Sequence, residues 1–385
     1  MYTEKLFYND CYLKEFDATV LSCIKSVDYW EIILDKTAFF PEGGGQKADV
    51  GYIGDAFILD VQETPGGIIH YSEKEVKPGE KYTCSIDWDV RFSRMQQHSG
   101  EHIISGVVHS VYGYDNVGFH MDEDYITIDF NGELNRQQLD EIEDKVNDAI
   151  YQNYAISCFF PDEKSLSSLD YRSKLELTEN VRLVKIENID LCACCAPHVS
   201  RTGEVGIVKI LDFMRHRGGV RLIAKCGRQA LLDYRNKYRS VYDISNMLSA
   251  KQEEVFSAVE RVKNETENIY KDFHSFKINV AEQSKKSLVF NNDVSYIIVD
   301  NFDADMMRTV ANYGMDKSTL CVVFSGNDGV GYSYVAGSKS LDMKNVAKVI
   351  NQALSGRGGG RDTMIQGKAS SCENDIRKFM SELVL

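Results

Sequence analysis

The chain has 385 residues, 43 % of them apolar and 26 % charged, which is material for two or three globular domains. No stretch approaches the roughly 18 uninterrupted apolar residues that a helix crossing a bilayer requires, and the start, MYTEKLFYNDCYLKEF, lacks the basic and apolar regions of a signal peptide; no membrane protein is indicated and a reducing cytoplasm is expected, where the ten cysteines are thiols or metal ligands. The net charge of −14 excludes nonspecific nucleic-acid binding by the whole surface, though not a local basic patch.

Residues 1–90 read as short strands: ATVLSCIKS, YWEIILD, AFILDVQET, GIIHYSE and YTCSIDW, separated by turn residues such as Pro65-Gly66-Gly67 and Lys77-Pro78-Gly79. Alternating, β-branched segments at this spacing predict a small barrel or sandwich. Within it, TAFFPEGGGQKADVGYIG places Gly43, Gly44 and Gly45 where backbone or ligand can approach closely, the bland alternative being a hairpin loop.

From Asp89 the period becomes helical. Phe92, Met95, Ile103, Val107 and Val111 fall on or near one face, and Gly113 is a plausible C-cap. The pentapeptide HSGEH lies inside this helix. Its spacing puts His98 and His102 one turn apart on the same side, as two ligands of one metal require. Gly100 between them costs about 1 kcal/mol relative to Ala, a sign of close packing or substrate approach. Further donors come at DLCACCAPHVSRTGEVG, expected as a loop between strands NVRLVKI and GIVKIL, where Cys194 and His198 are separated by three residues. His98, His102, Cys194 and His198 form an ordinary tetrahedral zinc set, with Cys192 or Cys195 as alternative thiolates. Glu101 is a candidate base for a zinc-site water, or an orienting partner, or a solvated residue. Between Lys209 and Arg239 nine Lys or Arg face only Asp212 and Asp233, a place for an anion to dock or a solvated basic face.

A long charged helix follows from about residue 240. Leu248, Val255, Val262 and Ile269 recur every seven residues, with Val259 and Phe273 on a second seam, predicting a coiled hairpin or a dimer arm. Beyond it SYIIVD, a helix near Asp303 to Tyr313, LCVVFSG, GYSYVAGS and a helix from Leu341 to Leu354 form a small α/β module. It ends in GRGGGRDTMIQG, where glycines flanked by Arg357 and Arg361 would expose backbone N–H groups and guanidinium groups to a phosphate chain. The fold expected is α+β: a small β-barrel (1–90), an α+β zinc-containing domain (91–240), a helical coiled arm (241–288) and a small α/β domain (289–385).

Four separated segments together resemble one family. TAFFPEGGGQKADVGYIG is similar to the glycine-rich motif of the alanyl-tRNA synthetase editing domain, HSGEH to its first metal motif, and CCAPHVSRTGEVG to its C-x-x-x-H motif. GRGGGRDTMIQG resembles the glycine motif of the DHH-associated C-terminal domain. Because Met1 leads straight into the barrel, no room is left for an aminoacylation domain, and the chain resembles the freestanding alanyl-tRNA editing family (AlaX type, long form). The resemblance implies hydrolysis of the ester joining serine, and secondarily glycine, to the terminal adenosine of alanine tRNA. It implies one Zn2+ per chain on His98, His102, Cys194 and His198, with Gln46 and Thr37 beside the pocket and Thr37, together with Gln46, reading the serine hydroxyl. A pocket for alanine cannot strongly reject serine, so a second site that hydrogen-bonds the hydroxyl supplies the discrimination. Candidate tRNA contacts are Arg215, Arg217, Arg221, Arg357, Gly358, Gly359, Gly360 and Arg361. The heptads and the family suggest a homodimer through the C-terminal half.

Two departures stand out. Cys195, Ala196 and Pro197 occupy the positions between Cys and His where synthetases commonly have Gly-Gly-Thr, and Glu101 replaces a small or hydroxyl residue. The rivals are an H-x-x-E-H zinc peptidase, which needs a downstream carboxylate ligand instead of the spaced Cys and His, and a tRNA-binding protein whose zinc is structural.

Overall fold

The computed structural model describes residues 2–173 and 181–385. The chain divides into two compact units, Met1–Tyr242 and Asp243–Leu385. In the first, six strands, β1 (Glu15–Lys25), β2 (Trp30–Leu34), β3 (Gly51–Ile53), β4 (Ala56–Thr64), β5 (Gly67–Ser72) and β6 (Lys81–Ile86), pair in the order β1-β2-β5-β4-β3-β6, and β6 pairs back onto β1 to close the ring. Alternate residues point inward, and Val20, Ile32, Leu34, Ile53, Ile58 and Val61 fill the interior. The five predicted strands are all present; the extra one, β3, is three residues long and carries no pattern of its own.

The helix predicted from Asp89 is α1 (Trp88–Tyr112). Asp87 caps it by accepting the Val90 N–H at 3.2 Å, and Gly113 ends it with a left-handed φ of 69°. Met95, Ile103 and Val107 are buried as expected, whereas Val111 is 46 % exposed on the last turn. Gly100 is explained by packing: a Cβ there would lie 2.4 Å from the sulfur of Cys226. After α1 come β7 (Asn116–Met121), β8 (Ile126–Phe130), α2 (Arg136–Tyr151), β9 (Ile156–Phe159), β10 (Leu183–Ile186), β11 (Asp190–Ala193), β12 (Val208–His216), β13 (Gly219–Cys226) and α3 (Gly227–Leu248). They form one sheet of order β12-β13-β8-β7 and a second of order β9-β10-β11. The segment expected as a loop between NVRLVKI and GIVKIL thus holds a strand, β11, which carries Cys192. Asn180 of that expected strand lies outside the described residues. Helix α2 begins at a capping box in which Asn135 and Gln138 satisfy each other's backbone N–H. It packs with α1 over the first sheet, burying Leu139, Ile142 and Val146.

One buried ion pair joins the strand ring to α1. Arg91 and Asp49 are both 0 % exposed. The Arg91 Nε donates to both Asp49 oxygens at 2.9 Å, Nη1 donates to the Cys11 carbonyl at 2.9 Å, and Nη2 to the Ala38 carbonyl at 2.6 Å. Asp49 also accepts the Phe40 N–H at 2.6 Å, so the pair is hydrogen-bonded on both sides. Burying two charges costs several kcal/mol each, offset only when every donor and acceptor is met in this way.

In the second unit, α4 (Val255–Ser284) is a single helix. The expected heptad frame does not run through from Leu248, because that residue ends α3 and Ser249, at φ 49°, turns the chain before α4. Within α4 the seams stay at the surface: Val259, Val262, Ile269 and Phe273 are 42–67 % exposed. The module beyond is a six-stranded sheet of β14 (Val289–Asn291), β15 (Val294–Val299), β16 (Leu320–Asn327), β17 (Gly331–Gly337), β18 (Arg357–Arg361) and β19 (Met364–Ala369), ordered β14-β15-β16-β17-β19-β18. Helix α5 (Ala304–Met315) packs on one face; α6 (Met343–Ala353) and α7 (Glu373–Glu382) pack on the other.

The GRGGGR segment is extended rather than irregular, and its residues are exposed. It is the edge strand β18, paired with β19 from Arg357↔Lys368 to Arg361↔Met364. Its glycines have a packing reason: a Cβ on Gly358 would meet the hydroxyl of buried Tyr334 at 2.7 Å, and Tyr334 donates to Asn351 at 2.8 Å. Only Gly359 faces open space.

Removing one partner of the Arg91–Asp49 pair leaves a buried charge alone, so Asp49→Asn or Arg91→Met should destabilise the first unit by about 3–5 kcal/mol. The Asp49→Leu/Arg91→Met double variant should recover most of that loss in thermal or urea unfolding, and single variants within 1 kcal/mol of wild type would contradict the assignment.

Candidate metal centre

Helix α1 and the segment after β11 bring the four expected ligands together. His98, His102, Cys194 and His198 each place one ligand atom so that all lie within 4.8 Å of one another. Cys194 Sγ stands 3.5 Å from His98 Nε2 and 3.4 Å from His198 Nε2. A tetrahedral centre with Zn–N and Zn–S bonds of about 2.0 and 2.3 Å has an N···S edge of about 3.5 Å, so the spacing fits a metal of that size. The three histidines are almost wholly removed from water at 1–3 % exposure, and Cys194 is half-buried.

Two of the imidazoles are oriented by their far nitrogens. His98 Nδ1 donates to Gln46 Oε1 at 2.9 Å, and Ser99 Oγ lies 3.1 Å from His198 Nδ1. Each contact fixes a ring with Nε2 turned toward Cys194, the arrangement that raises ligand basicity in metal sites. His102 sits between carboxylates instead, its Nδ1 3.4 Å from Asp190 and its Nε2 3.7 Å from Glu101. Burial opposes charge on His102, but the Glu101 carboxylate, with Asp190 and Cys192, outweighs it and holds its pKa well above the usual value. Burial likewise opposes the Cys194 thiolate, but His98, His102 and His198 hold its pKa well below the ordinary range. His198 is pushed down to about 3 by burial and stays neutral. These surroundings favour the thiolate form of Cys194 and the imidazolium form of His102, and a metal that takes His102 as a ligand must displace its proton.

The three crowded cysteines now separate. Burial pushes the Cys195 thiol up to about 11, so it remains protonated and packs against the glycine loop. Cys192 forms a second donor group with His102 and Asp190. That group is a poor cation site, because Arg172 already holds Asp190 through two bonds of 2.8 and 2.6 Å.

The glycine loop lies directly over the cluster. Gly43 and Gln46 exchange two backbone hydrogen bonds of 3.0 Å, and Gly44 and Gly45 have φ of 60° and 82°, the two-residue hairpin that needs positive φ at both central positions. A Cβ on Gly44 would meet Cys195 Sγ at 3.3 Å, and one on Gly45 would meet Phe119 at 2.7 Å. The glycines therefore let the loop close over His98 and deliver Gln46, whose Nε2 is buried without a hydrogen-bond partner.

The other expected site residues lie as follows. Thr37 is fully buried in the strand ring, its hydroxyl 2.8 Å from His70 Nε2 and accepting the Phe39 N–H at 3.1 Å. Burial lowers the His70 pKa to about 4, and its Nδ1 faces the Ile32 carbonyl at 3.1 Å, so the Thr37 hydroxyl donates to a neutral ring. Glu101 is engaged on both oxygens: one accepts from Ser105 at 2.6 Å and from Asn116, and the other faces His102. Arg221 is not a free cation, since Asp129 holds it through bonds of 2.6 and 2.7 Å. Arg215 makes a loose surface pair with Glu133 at 3.5 Å, and Arg217 sits exposed at the β12–β13 turn. Arg357 and Arg361 are exposed on β18 in the second unit. Asp190, Arg172, Ser99, Asn116 and Arg182, which donates to the Cys194 and Ala196 carbonyls at 2.9 and 2.8 Å, complete the surroundings and escaped the sequence reading.

Known proteins match along the same lines. Residues 3–90 match the family of class II (A) tRNA synthetases, residues 181–224 the second additional domain of threonyl and alanyl tRNA synthetases, and residues 291–384 the DHHA1 domain. The alanyl-tRNA editing protein AlaX-L of Pyrococcus horikoshii is 28 % identical, the similarity covering 97 % of this chain and 96 % of that one. The mouse alanyl-tRNA editing protein Aarsd1 is 25 % identical over 95 % and 94 % of the two chains. Along nearly its whole length the chain is similar to alanyl-tRNA editing proteins. The alanine–tRNA ligase of Ignicoccus hospitalis is 28 % identical over 99 % of this chain, which spans 43 % of that ligase. The additional-domain match at 181–224 contains Cys194 and His198, and the class II synthetase match at 3–90 contains Thr37, the glycine loop and Gln46. Among the described residues no helix is long and apolar enough to cross a membrane.

If the four residues are the ligands, Cys194→Ser should abolish retention of zinc, whereas Cys195→Ser should leave one equivalent bound. Gln46→Ala should weaken metal affinity about 10–100-fold by freeing His98. Because His102 carries its proton up to a raised pKa, affinity should climb with pH until that proton is gone. Metal analysis after dialysis and competition with a chromophoric chelator across pH would check all three; equal losses from Cys194→Ser and Cys195→Ser would contradict the ligand set.

Proposed function

We propose that the chain is a trans-editing hydrolase that removes serine, and secondarily glycine, from mischarged alanine tRNA, with one Zn2+ held by His98, His102, Cys194 and His198. What carries this reading is the buried three-histidine, one-cysteine set beneath a glycine hairpin, in a chain coextensive with editing proteins. In the reaction water adds to the ester carbonyl carbon, the bond to the ribose oxygen breaks, and the free amino acid and the terminal hydroxyl leave. Zinc bound there would supply a Lewis acid for the ester carbonyl or the amino group.

This chain's own residues then divide the work. Gln46 keeps its Oε1 on His98 and has an unpartnered, buried Nε2, so it is the better placed of the two candidates to donate to a serine hydroxyl. Thr37 has one lone pair left after its bonds to His70 and Phe39, and contributes as a neighbour of the pocket wall. Glu101, engaged by Ser105 and Asn116, orients His102 rather than taking a proton from water. That engagement, with a cysteine and histidine completing the set, also disfavours the peptidase reading. The closed six-strand ring supports reading residues 1–90 as a small barrel. The exposed seam of α4 supports a homodimer through the C-terminal half, and Arg215, Arg217, Arg357 and Arg361 remain candidate tRNA contacts. The absence of a long apolar helix among the described residues is compatible with a cytoplasmic protein.

The test is deacylation of Ser-, Gly- and Ala-esterified alanine tRNA. Wild type should release serine much faster than alanine, and His98→Ala/His102→Ala should lose about 2.7–4 kcal/mol of transition-state stabilisation or more, a rate drop of at least about 100-fold. Glu101→Gln should cost far less than that. Wild type that binds tRNA but releases no serine would leave only a tRNA-binding protein with structural zinc.

A further inference from the structure

Away from the metal centre, α3 begins at a joint with α1. Gln96 accepts the Arg228 N–H at 3.1 Å and donates to the Glu204 carbonyl at 2.9 Å. Beside that joint is a largely apolar cleft of about 450 Å³, walled by Trp88, Phe92, Ile207 and Leu231 with Arg228 at its rim. The Trp88 and Phe92 rings lie 5.5 Å apart at 30°, and Lys14 Nζ sits 4.5 Å over the indole. From the cleft a stripe continues along α3. Leu231, Tyr234, Tyr238 and Tyr242 are 45, 65, 48 and 49 % exposed and recur every three or four residues, so they share a face. The Tyr234 and Tyr238 rings stack at 6.3 Å.

Cations run beside these rings. Arg228 pairs with Asp89 at 3.2 Å and Lys237 with Asp233 at 2.6 Å. Among the described residues Arg235 and Arg239 have no carboxylate within ion-pair reach, and both are exposed. Four cations against one carboxylate between residues 228 and 242, in a chain of net charge −14, call for an anionic occupant. The aromatic faces narrow the choice further. Exposed rings interleaved with unpaired guanidinium groups suit unpaired bases and their phosphates, through stacking and charge together.

We propose that the Trp88–Phe92 cleft and the tyrosine–arginine face of α3 form an RNA-docking surface that holds an unpaired stretch of the substrate tRNA outside the metal centre. It rests on the editing reading for the identity of the RNA. The joint gives it a mechanical consequence: Gln96 is two residues from His98 on α1, so RNA held on α3 is in rigid register with the metal ligands.

The test uses the full chain with Arg235→Glu/Arg239→Glu and Tyr234→Ala/Tyr238→Ala variants, all four positions being exposed so that folding should be unchanged in thermal melts. Binding of uncharged alanine tRNA is measured across salt, and hydrolysis is measured on Ser-tRNA and on the minimal ester seryl-adenosine. Charge reversal should weaken tRNA binding at least 10-fold and flatten the dependence of log K on log salt by about 1–2. The tyrosine variant should weaken binding without changing that slope. Both should raise KM on Ser-tRNA at constant kcat and leave seryl-adenosine hydrolysis alone. Variants that bind and hydrolyse like wild type, or that alter only the sedimentation of the chain, overturn the docking surface while the editing reading stands. Wild type that binds tRNA through these residues yet hydrolyses neither ester supports the surface and sinks the editing reading.

Discussion

The Arg91–Asp49 pair, buried where the strand ring meets α1, sets the geometry that everything at the metal centre needs. Asp49 follows the glycine hairpin by a few residues, and Arg91 precedes His98 by two turns. Holding the two together fixes the hairpin over the helix, and only then can Gln46 meet the ring nitrogen of His98. The pair is expensive in isolation and is sustained by the Cys11 and Ala38 carbonyls and the Phe40 N–H. Its value is positional: a hydrophobic pair of the same volume would hold the elements together but would not specify one register between them.

Within that frame the cluster is arranged by charge before any metal binds. Three imidazoles lower the pKa of Cys194 against its burial, and Glu101 with Asp190 raises that of His102 against its own. The neighbouring thiol, Cys195, lacks those partners and stays neutral beneath the glycines. Two adjacent cysteines therefore differ in ligand quality through position alone. The same surroundings engage Glu101, whose carboxylate meets Ser105, Asn116 and His102.

Much of this was legible in the sequence. Period-2 alternation found five of the ring strands, the switch to helical period found α1, and the spacing of His98, His102, Cys194 and His198 pointed to four residues that the fold gathers in one cluster. Close approach of the three glycines was also readable. Less visible were contacts that depend on long-range pairing. Ser99 stands inside HSGEH, yet nothing local says that it meets His198 across 99 positions. Asp190 and Arg172 reach each other only because β11 pairs as it does. That β18 is an edge strand whose glycines clear the buried Tyr334 two strands away is not visible in the sequence, because Tyr334 is distant along the chain. Arg221 read as free because its partner, Asp129, lies on the neighbouring strand rather than along the chain. Helix α2 was missed although Asn135 and Gln138 spell its capping box, a local signal that was available.

The account's central claim is that the hairpin and α1 build one four-ligand centre on His98, His102, Cys194 and His198. Diffraction from crystals of the zinc-loaded protein, collected on both sides of the zinc absorption edge, tests it most directly. A single anomalous peak should lie among those four ligand atoms, with Gln46 still on His98 Nδ1. A peak among His102, Asp190 and Cys192, or no peak in the first unit, would contradict the account.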